Sequence, residues 1–391
     1  MVSFKEALDI ILGNARTLGK EQVEASMALN RILAEDVFSD VDMPPFNKAA
    51  MDGYACKHED IQSALKIIEI LAAGDVPSKT INRGQCSKIM TGAMVPEGAD
   101  TVIMIEHTSH TADGKVRFTA EKTAPNIALK GEDVRSGDLI CKKGTQLLAQ
   151  HMAMLAAVGC TNPWVYKQPY VAILSTGDEL VEPSAKPEKG KIRNTNGPQL
   201  VCQVQAANCM PNYMGIVPDD QDATNAAIAK ALAEHDVVIL SGGVSMGDFD
   251  FVPDILKKNG VSLMFQKVAV KPGRPTVFGK TASSFVFGLP GNPVSSFINF
   301  ETFVKPLLFQ MMGATYKPLE VQMPLAENYF RKKTDRLEFL PVTINDLGQV
   351  TPVSYHGSAH IHALSQARGL MTIPEGVSEL KKGTNVHVRP L

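Results

Sequence analysis

Residues 236–250, DVVILSGGVSMGDFD, run from an apolar strand straight into a loop of glycine, serine and aspartate. PYVAIL (169–174) and SFVFGL (284–289) repeat the pattern, each leading into a small-residue loop and then a helical stretch. Strand, loop and helix in alternation imply a mostly parallel sheet with helices on its faces. The expectation is therefore a central three-layer α/β domain over residues 169–315. Ligands of such sheets bind where the loops leave the carboxyl ends of the strands.

Those loops carry the chemistry. In Ser241–Asp250, Gly242 and Gly243 allow close backbone approach, and Ser241 and Ser245 add hydroxyls. With a helix starting near Phe251, this suits a phosphate. Taken alone, the loop reads equally as a Gly-rich turn whose Asp248 or Asp250 caps the helix. STGDEL (175–180) sets Thr176, Gly177 and Asp178 in a tight polar turn, followed by Glu179. VPDD places Asp219 and Asp220 after a strand around MGIV (214–217). Carboxylates such as Glu179, Asp219 and Asp250 on several loops of one sheet suit Mg²⁺, which prefers carboxylate and phosphate oxygens. Singly, each reads as a cap or turn residue.

In FQKVAVKPGRP (265–275), Lys267 and Lys271 share a face if the segment is a strand. Lys271 and Arg274 bracket a Pro-Gly turn, a rigid cationic segment suited to a phosphate or tetrahedral oxyanion. A hairpin with solvated charges is the plain alternative. In GLPGNPVSS (288–296), Pro290 and Pro293 stiffen a turn that presents Asn292 and Ser295.

Outside this region, residues 3 to about 40 read as helical. Ser3 and Glu6 have capping-box spacing, and a second helix is expected around Val23–Leu33. Short β-type runs fill residues 43–139, including YAC, LKIIEIL, TVIMIEH and VRFTAE. Helical character returns at 148–158, so the β-rich domain (43–139) reads as inserted into a helical linker domain (1–42 and 140–168). Alternation in LEFLPVTI and NVHVRPL suggests a small C-terminal β-barrel or sandwich over 316–391.

The chain has 391 residues, 44% apolar and 20% charged, which fits a folded multidomain protein. A formal net charge of −2 gives no broad attraction to nucleic acid or anionic lipid. No signal peptide or membrane span is expected, and the reading is cytoplasmic. The six cysteines form no CxxC pair, which argues against a zinc ribbon or a disulfide framework. His356, His360 and His362 lack ligand spacing and read as ordinary histidines.

Seven motifs occur in the order found in the MoeA family of molybdopterin molybdenumtransferases, whose eukaryotic relatives include the gephyrin E domain. They are PPFNKAAMDGYA, MTGAMVPEGAD, GEDVRSGD, STGDEL, SGGVSMGDFD, VAVKPGRP and GLPGNPVSS. The resemblance implies a four-domain homodimer that inserts molybdenum from molybdate into adenylylated molybdopterin and releases AMP, with Mg²⁺. Implied catalytic residues are Asp52, Asp133, Glu179, Asp219, Asp250, Lys267 and Lys271. Asp52 and Thr91 would serve the partner subunit's cleft, and Glu179, Asp219 and Asp250 would support the cation. Lys271, Arg274, Arg336 and Ser358 would meet molybdate, with Arg274 standing where the family usually has lysine. Thr176, Gly177, Asp178, Ser241, Gly242, Gly243, Ser245, Pro290, Asn292 and Ser295 would line the substrate site. The upstream adenylyltransferase and recipient molybdoenzymes are the protein partners implied beyond the second copy. The rival readings are an adenylyltransferase and a non-catalytic scaffold.

Overall fold

The structure, a computed structural model, describes residues 1–243, 252–353, 357 and 359–391. Helix α1 (Phe4–Asn14) opens on the expected capping box. The Ser3 hydroxyl accepts the Glu6 N–H at 3.2 Å, and the Glu6 carboxylate accepts the Ser3 N–H at 2.8 Å. The expected second helix is absent. Val23–Leu33 holds one 3₁₀ turn, Ala25–Met27, and Asn30 takes φ 64°. Its backbone donors go instead across the fold: Leu33 N–H to Thr145 O at 2.9 Å, and Ala34 N–H to Trp164 O at 2.8 Å. Ala28 and Leu33 thereby share a small core with Cys141, Leu147, Leu155 and Val165. The region expected to be a helical linker thus contains two helices, α1 and α2 (Ala149–Ala157), beside short strand pairs.

The next unit is a mixed sheet of β1 (Gly53–Cys56), β2 (Lys66–Leu71), β3 (Gln85–Ile89) and β4 (Thr101–Met104), in the order β2-β3-β1-β4. Three of its strands coincide with the runs YAC, LKIIEIL and TVIMIEH, whereas Gln85–Ile89 is not among the runs read from the sequence. VRFTAE pairs outside this sheet, Val116–Phe118 with Thr108–His110.

The central sheet comprises β5 (Tyr170–Thr176), β6 (Met210–Val217), β7 (Val237–Ser241), β8 (Ser262–Phe265), β10 (Val277–Lys280) and β11 (Phe285–Leu289). A short strand between them, β9 (Val270–Lys271), leaves this sheet and is taken up below. The order is β6-β5-β7-β11-β10-β8, parallel from β6 to β11 and antiparallel beyond. Alternate residues serve opposite faces. Val171, Ile173, Val237 and Ile239 pack with Leu200, Val204 and Ile298 of α3 (Asn196–Ala206) and α6 (Pro293–Asn299). Ala172, Leu174, Val238 and Leu240 pack with Ile228, Leu232, Ile255 and Leu256 of α4 (Gln221–Glu234) and α5 (Val252–Lys258). The antiparallel edge makes the sheet mixed, while the loops at the parallel strands' carboxyl ends stay side by side.

The C-terminal strands are β12 (Val321–Pro324), β13 (Leu337–Ile344), β14 (Val350–Pro352), β15 (Gly369–Ile373) and β16 (Asn385–Pro390). Pairing runs β14-β13-β15-β16-β12, and a parallel Leu325–Val350 bridge returns the chain to β14. Leu325, Leu340, Val342, Val350, Met371, Ile373, Val386 and Val388 fill this small ring. β9 adds to its edge, with Val270 opposite Leu337 and Lys271 opposite Glu338. Phe4 of α1 meets Phe303 and Phe339, each at 5.3 Å between ring centroids, and so touches both the α/β core and the ring.

Candidate active site

A cleft of about 870 Å³ opens at the carboxyl ends of the parallel strands. Thr176, Gly177, Glu179, Asp219, Ser241, Gly242, Gly243, Pro290 and Asn292 line it, so four separately read loops converge there. Gly242 explains why the first and third strands' loops meet. It has φ +99°, and a Cβ there would lie 2.7 Å from the Thr176 carbonyl oxygen and 2.8 Å from its Oγ1. Only glycine allows this approach.

The cleft acids divide by role. Asp178 Oδ1 accepts the Asp219 N–H at 3.0 Å, and Asp219 Oδ2 accepts the Asp178 N–H at 3.3 Å. This reciprocal pair locks two loops together and engages one oxygen of each carboxylate in structure. Asp220 caps α4, accepting the Ala223 N–H at 2.8 Å. Glu179 folds back over Gly177, so that a Cβ at Gly177 would meet its Oε2 at 2.4 Å. Among the described residues no group of three His, Cys, Asp or Glu side chains gathers as a ready metal site. Glu179 and Asp219 both line the cleft, and carboxylates are among the oxygen donors that Mg²⁺ prefers. Ser245, Asp250 and Ser358 lie outside the described residues, as does His356.

The remaining site residues lie away from the cleft lining. Ser295 is buried in α6. Lys267 precedes β9, whose two residues are too few to align it with Lys271, so the shared strand face expected for the two lysines is absent. Lys271 Nζ meets Glu338 Oε1 at 2.7 Å, and Arg331 meets Glu338 Oε2 at 3.1 Å. Lys271, which the plain alternative leaves as a solvated charge, is therefore paired, and its partner carboxylate is buried. Arg336 donates to the Val270 carbonyl oxygen at 3.3 Å, which brings it to the same seam. Arg274 is exposed two residues before the buried Thr276, and its neighbour Pro275 lines the cleft. The seam thus abuts the cleft through one proline.

In the N-terminal β unit, Asp52 and Thr91 come together. The Thr91 hydroxyl and N–H both donate to Asp52 Oδ1, at 2.6 and 2.7 Å. These bonds, the hydroxyl first, hold the Asp52 carboxyl below the usual aspartate range. Asp133 is exposed on a neighbouring turn, its N–H bonded to Met43 O at 3.1 Å.

Three family descriptions match in chain order: "MoeA N-terminal region (domain I and II)" over residues 2–159, "Probable molybdopterin binding domain" over 172–310, and "MoeA C-terminal region (domain IV)" over 324–391. A molybdopterin molybdenumtransferase of Staphylococcus epidermidis (strain ATCC 35984) is 34% identical over 400 residues, covering 99% of this chain and 95% of the relative. One from Staphylococcus aureus (strain MRSA252) is 35% identical over 401 residues, with the same coverage. The chain belongs to the MoeA family. A solved molybdopterin biosynthesis MoeA protein from Pyrococcus horikoshii OT3 agrees across 100% of both chains, with TM-score 0.87 and 33% identity.

This MoeA chain also has cleft residues that sequence reading missed. Lys191, Arg193, Asn194, Thr195 and Asn196 of KIRNTNG form one wall. Lys191 Nζ bonds the Asp178 carbonyl oxygen, and the Ile192 N–H bonds Glu179 O at 2.7 Å, so this wall braces the acidic turn. Asn194 accepts from Ser175 Oγ at 3.2 Å and donates to Tyr213 Oη at 2.7 Å. Burial, with Glu182 adding to it, pushes the Tyr213 phenol up to about 12, so its hydroxyl keeps its proton. The available signal was the N-x-N-G string at a helix start, a turn and cap pattern.

Proposed function

We propose that this protein is a molybdopterin molybdenumtransferase, inserting molybdenum from molybdate into adenylylated molybdopterin with release of AMP. The observation that carries the reading is end-to-end identity of 34–35% with relatives of that name, including both the N-terminal and C-terminal MoeA regions. These full-length relatives favour the transferase over an adenylyltransferase or a scaffold.

The chemistry asks for positioning and charge neutralisation rather than a protein nucleophile. Thr176, Ser241, Gly242 and Gly243 form the polar cradle for the phosphate, with Asn292 and the stiff Pro290 turn on the facing loop. Glu179 and Asp219 would hold Mg²⁺, with Asp250 as the third acid, and the cation would neutralise charge on the phosphate leaving with AMP. Lys271, Arg274 and Arg336 would receive molybdate at the seam beside Pro275, with Ser358 and Lys267 as further donors. Asp52, Thr91 and Asp133 would act on the cleft of a second copy in a homodimer. We assign the chain four domains with the boundaries expected above, and place the enzyme in the cytoplasm. Among the described residues no helix is long and apolar enough to cross a membrane.

The test is AMP release from adenylylated molybdopterin by purified protein with Mg²⁺, with and without molybdate. Molybdate-dependent release with metal-loaded product is expected. Absence of release from protein that binds the substrate would overturn the enzymatic reading.

A further inference from the structure

Asn196 begins α3 with its side chain buried between two cleft loops; the residue is 6% exposed. Its Nδ2 lies 2.8 Å from the Gly291 carbonyl oxygen and 2.7 Å from Ser241 Oγ. A carbonyl oxygen can only accept, so the group facing Gly291 must be the amide NH₂. That nitrogen has no acceptor capacity, so Ser241 Oγ must accept its second hydrogen. The direction of the Asn196–Ser241 bond therefore follows from Gly291, without any choice of hydroxyl rotamer.

The consequence falls on the Ser241 proton. Ser241 is 3% exposed and lines the cleft. Among the described residues its hydroxyl makes no hydrogen bond besides the one it accepts from Asn196. A buried O–H proton without an acceptor costs free energy, and a phosphate offers acceptors only. We propose that Asn196 is a positioning residue that fixes the polarity of Ser241, so that the hydroxyl donates to a phosphate oxygen of the bound nucleotide. The same amide ties the β7 and β11 loops to α3, so polarity and loop spacing are set by one side chain. The role rests on the nucleotide reading proposed above and assigns within it a function to a residue that does not itself carry the transferred group.

Asn196→Asp keeps the shape but, when ionised, only accepts, so the Ser241 hydroxyl donates to it and is turned away from the cleft. It also adds negative charge, which weakens nucleotide binding by itself. The two effects separate in a double-mutant cycle, because the Ser241→Ala background has no hydroxyl to reverse. The probe is AMP with Mg²⁺, measured by calorimetry on full-length protein whose fold is checked by circular dichroism. Ser241→Ala alone should weaken binding by about tenfold, the scale of one hydrogen bond to a charged group. Asn196→Asp should cost several-fold more in the presence of Ser241 than in its absence. Equal cost in both backgrounds would overturn the proposal. Should Asn196→Asp fail to fold, an unchanged affinity in Ser241→Ala overturns it alone. Wild-type protein that binds no AMP would instead overturn the nucleotide reading, and with it the role given to Asn196.

Discussion

Gly177 and Glu179 show how a single atom constrains the cleft. A methyl group at Gly177 would meet the Glu179 carboxylate at 2.4 Å, on a backbone with φ +143°. Gly177→Ala must displace that carboxylate and carries a backbone strain of about 1–3 kcal/mol. Because the obstructing atoms end a flexible side chain, the fold should survive. Molybdate-dependent AMP release should fall by about a hundredfold, the scale of a misplaced catalytic group; an unaltered rate would remove Glu179 from the reaction. Asp52 gives a second residue-scale test. Its folded-state pKa is lowered by Thr91, so its contribution is present above the unfolded pKa and lost as pH falls through the folded one. Thr91→Ala removes the larger cause and keeps the backbone N–H. The Asp52 carboxyl should then titrate at higher pH by carbon-detected NMR, still below an ordinary aspartate. An unmoved titration would contradict the hydroxyl's role.

At the scale of elements, the seam between β9 and β13 is held by a buried carboxylate. Glu338 is 1% exposed and faces Arg331 on one side and Lys271 on the other. Glu338→Gln keeps the volume but leaves the buried Arg331 without its counter-charge, and should cost about 3–5 kcal/mol. Lys271→Met should cost less, since the lysine side chain is 41% exposed. Denaturant unfolding of both variants checks the order, and a reversed order would mean that the pair with Arg331 contributes little. Elements of this kind also mark the limit of sequence reading. The central strands were legible because apolar runs and small-residue loops are local patterns, and the loops that line the cleft came with them. Lys271 and Glu338 are 67 positions apart, and Asn196 and Gly291 are 95 apart, so no local spacing announces either contact. Val23–Leu33 misled for the same reason. Ala28 and Leu33 are core-facing, but their partners are Cys141, Leu147 and Val165 across the fold, not neighbours on a helix.

For the whole molecule, α1 acts as a strap. Ala7 and Ile11 enter the α/β core, while Phe4 spans to Phe339 in the C-terminal ring. Phe4→Ala should lower stability by about 1–3 kcal/mol, less than a fully buried phenylalanine because the ring is partly exposed. Limited proteolysis should cut the C-terminal region sooner than in wild type, with the central sheet equally protected. Equal cleavage would show that the ring is held by β9 alone.

The placement of β9 has a consequence for recombination. The C-terminal ring borrows an edge strand and a counter-ion for Glu338 from a segment encoded 67 residues upstream. A chimera that grafts residues 316–391 from a distant relative onto this chain would import a β13 edge shaped for another strand. It would also set a foreign residue against Lys271. Such grafts should succeed only when the segment around 268–275 travels with the ring, so the unit of inheritance here is discontinuous in the gene.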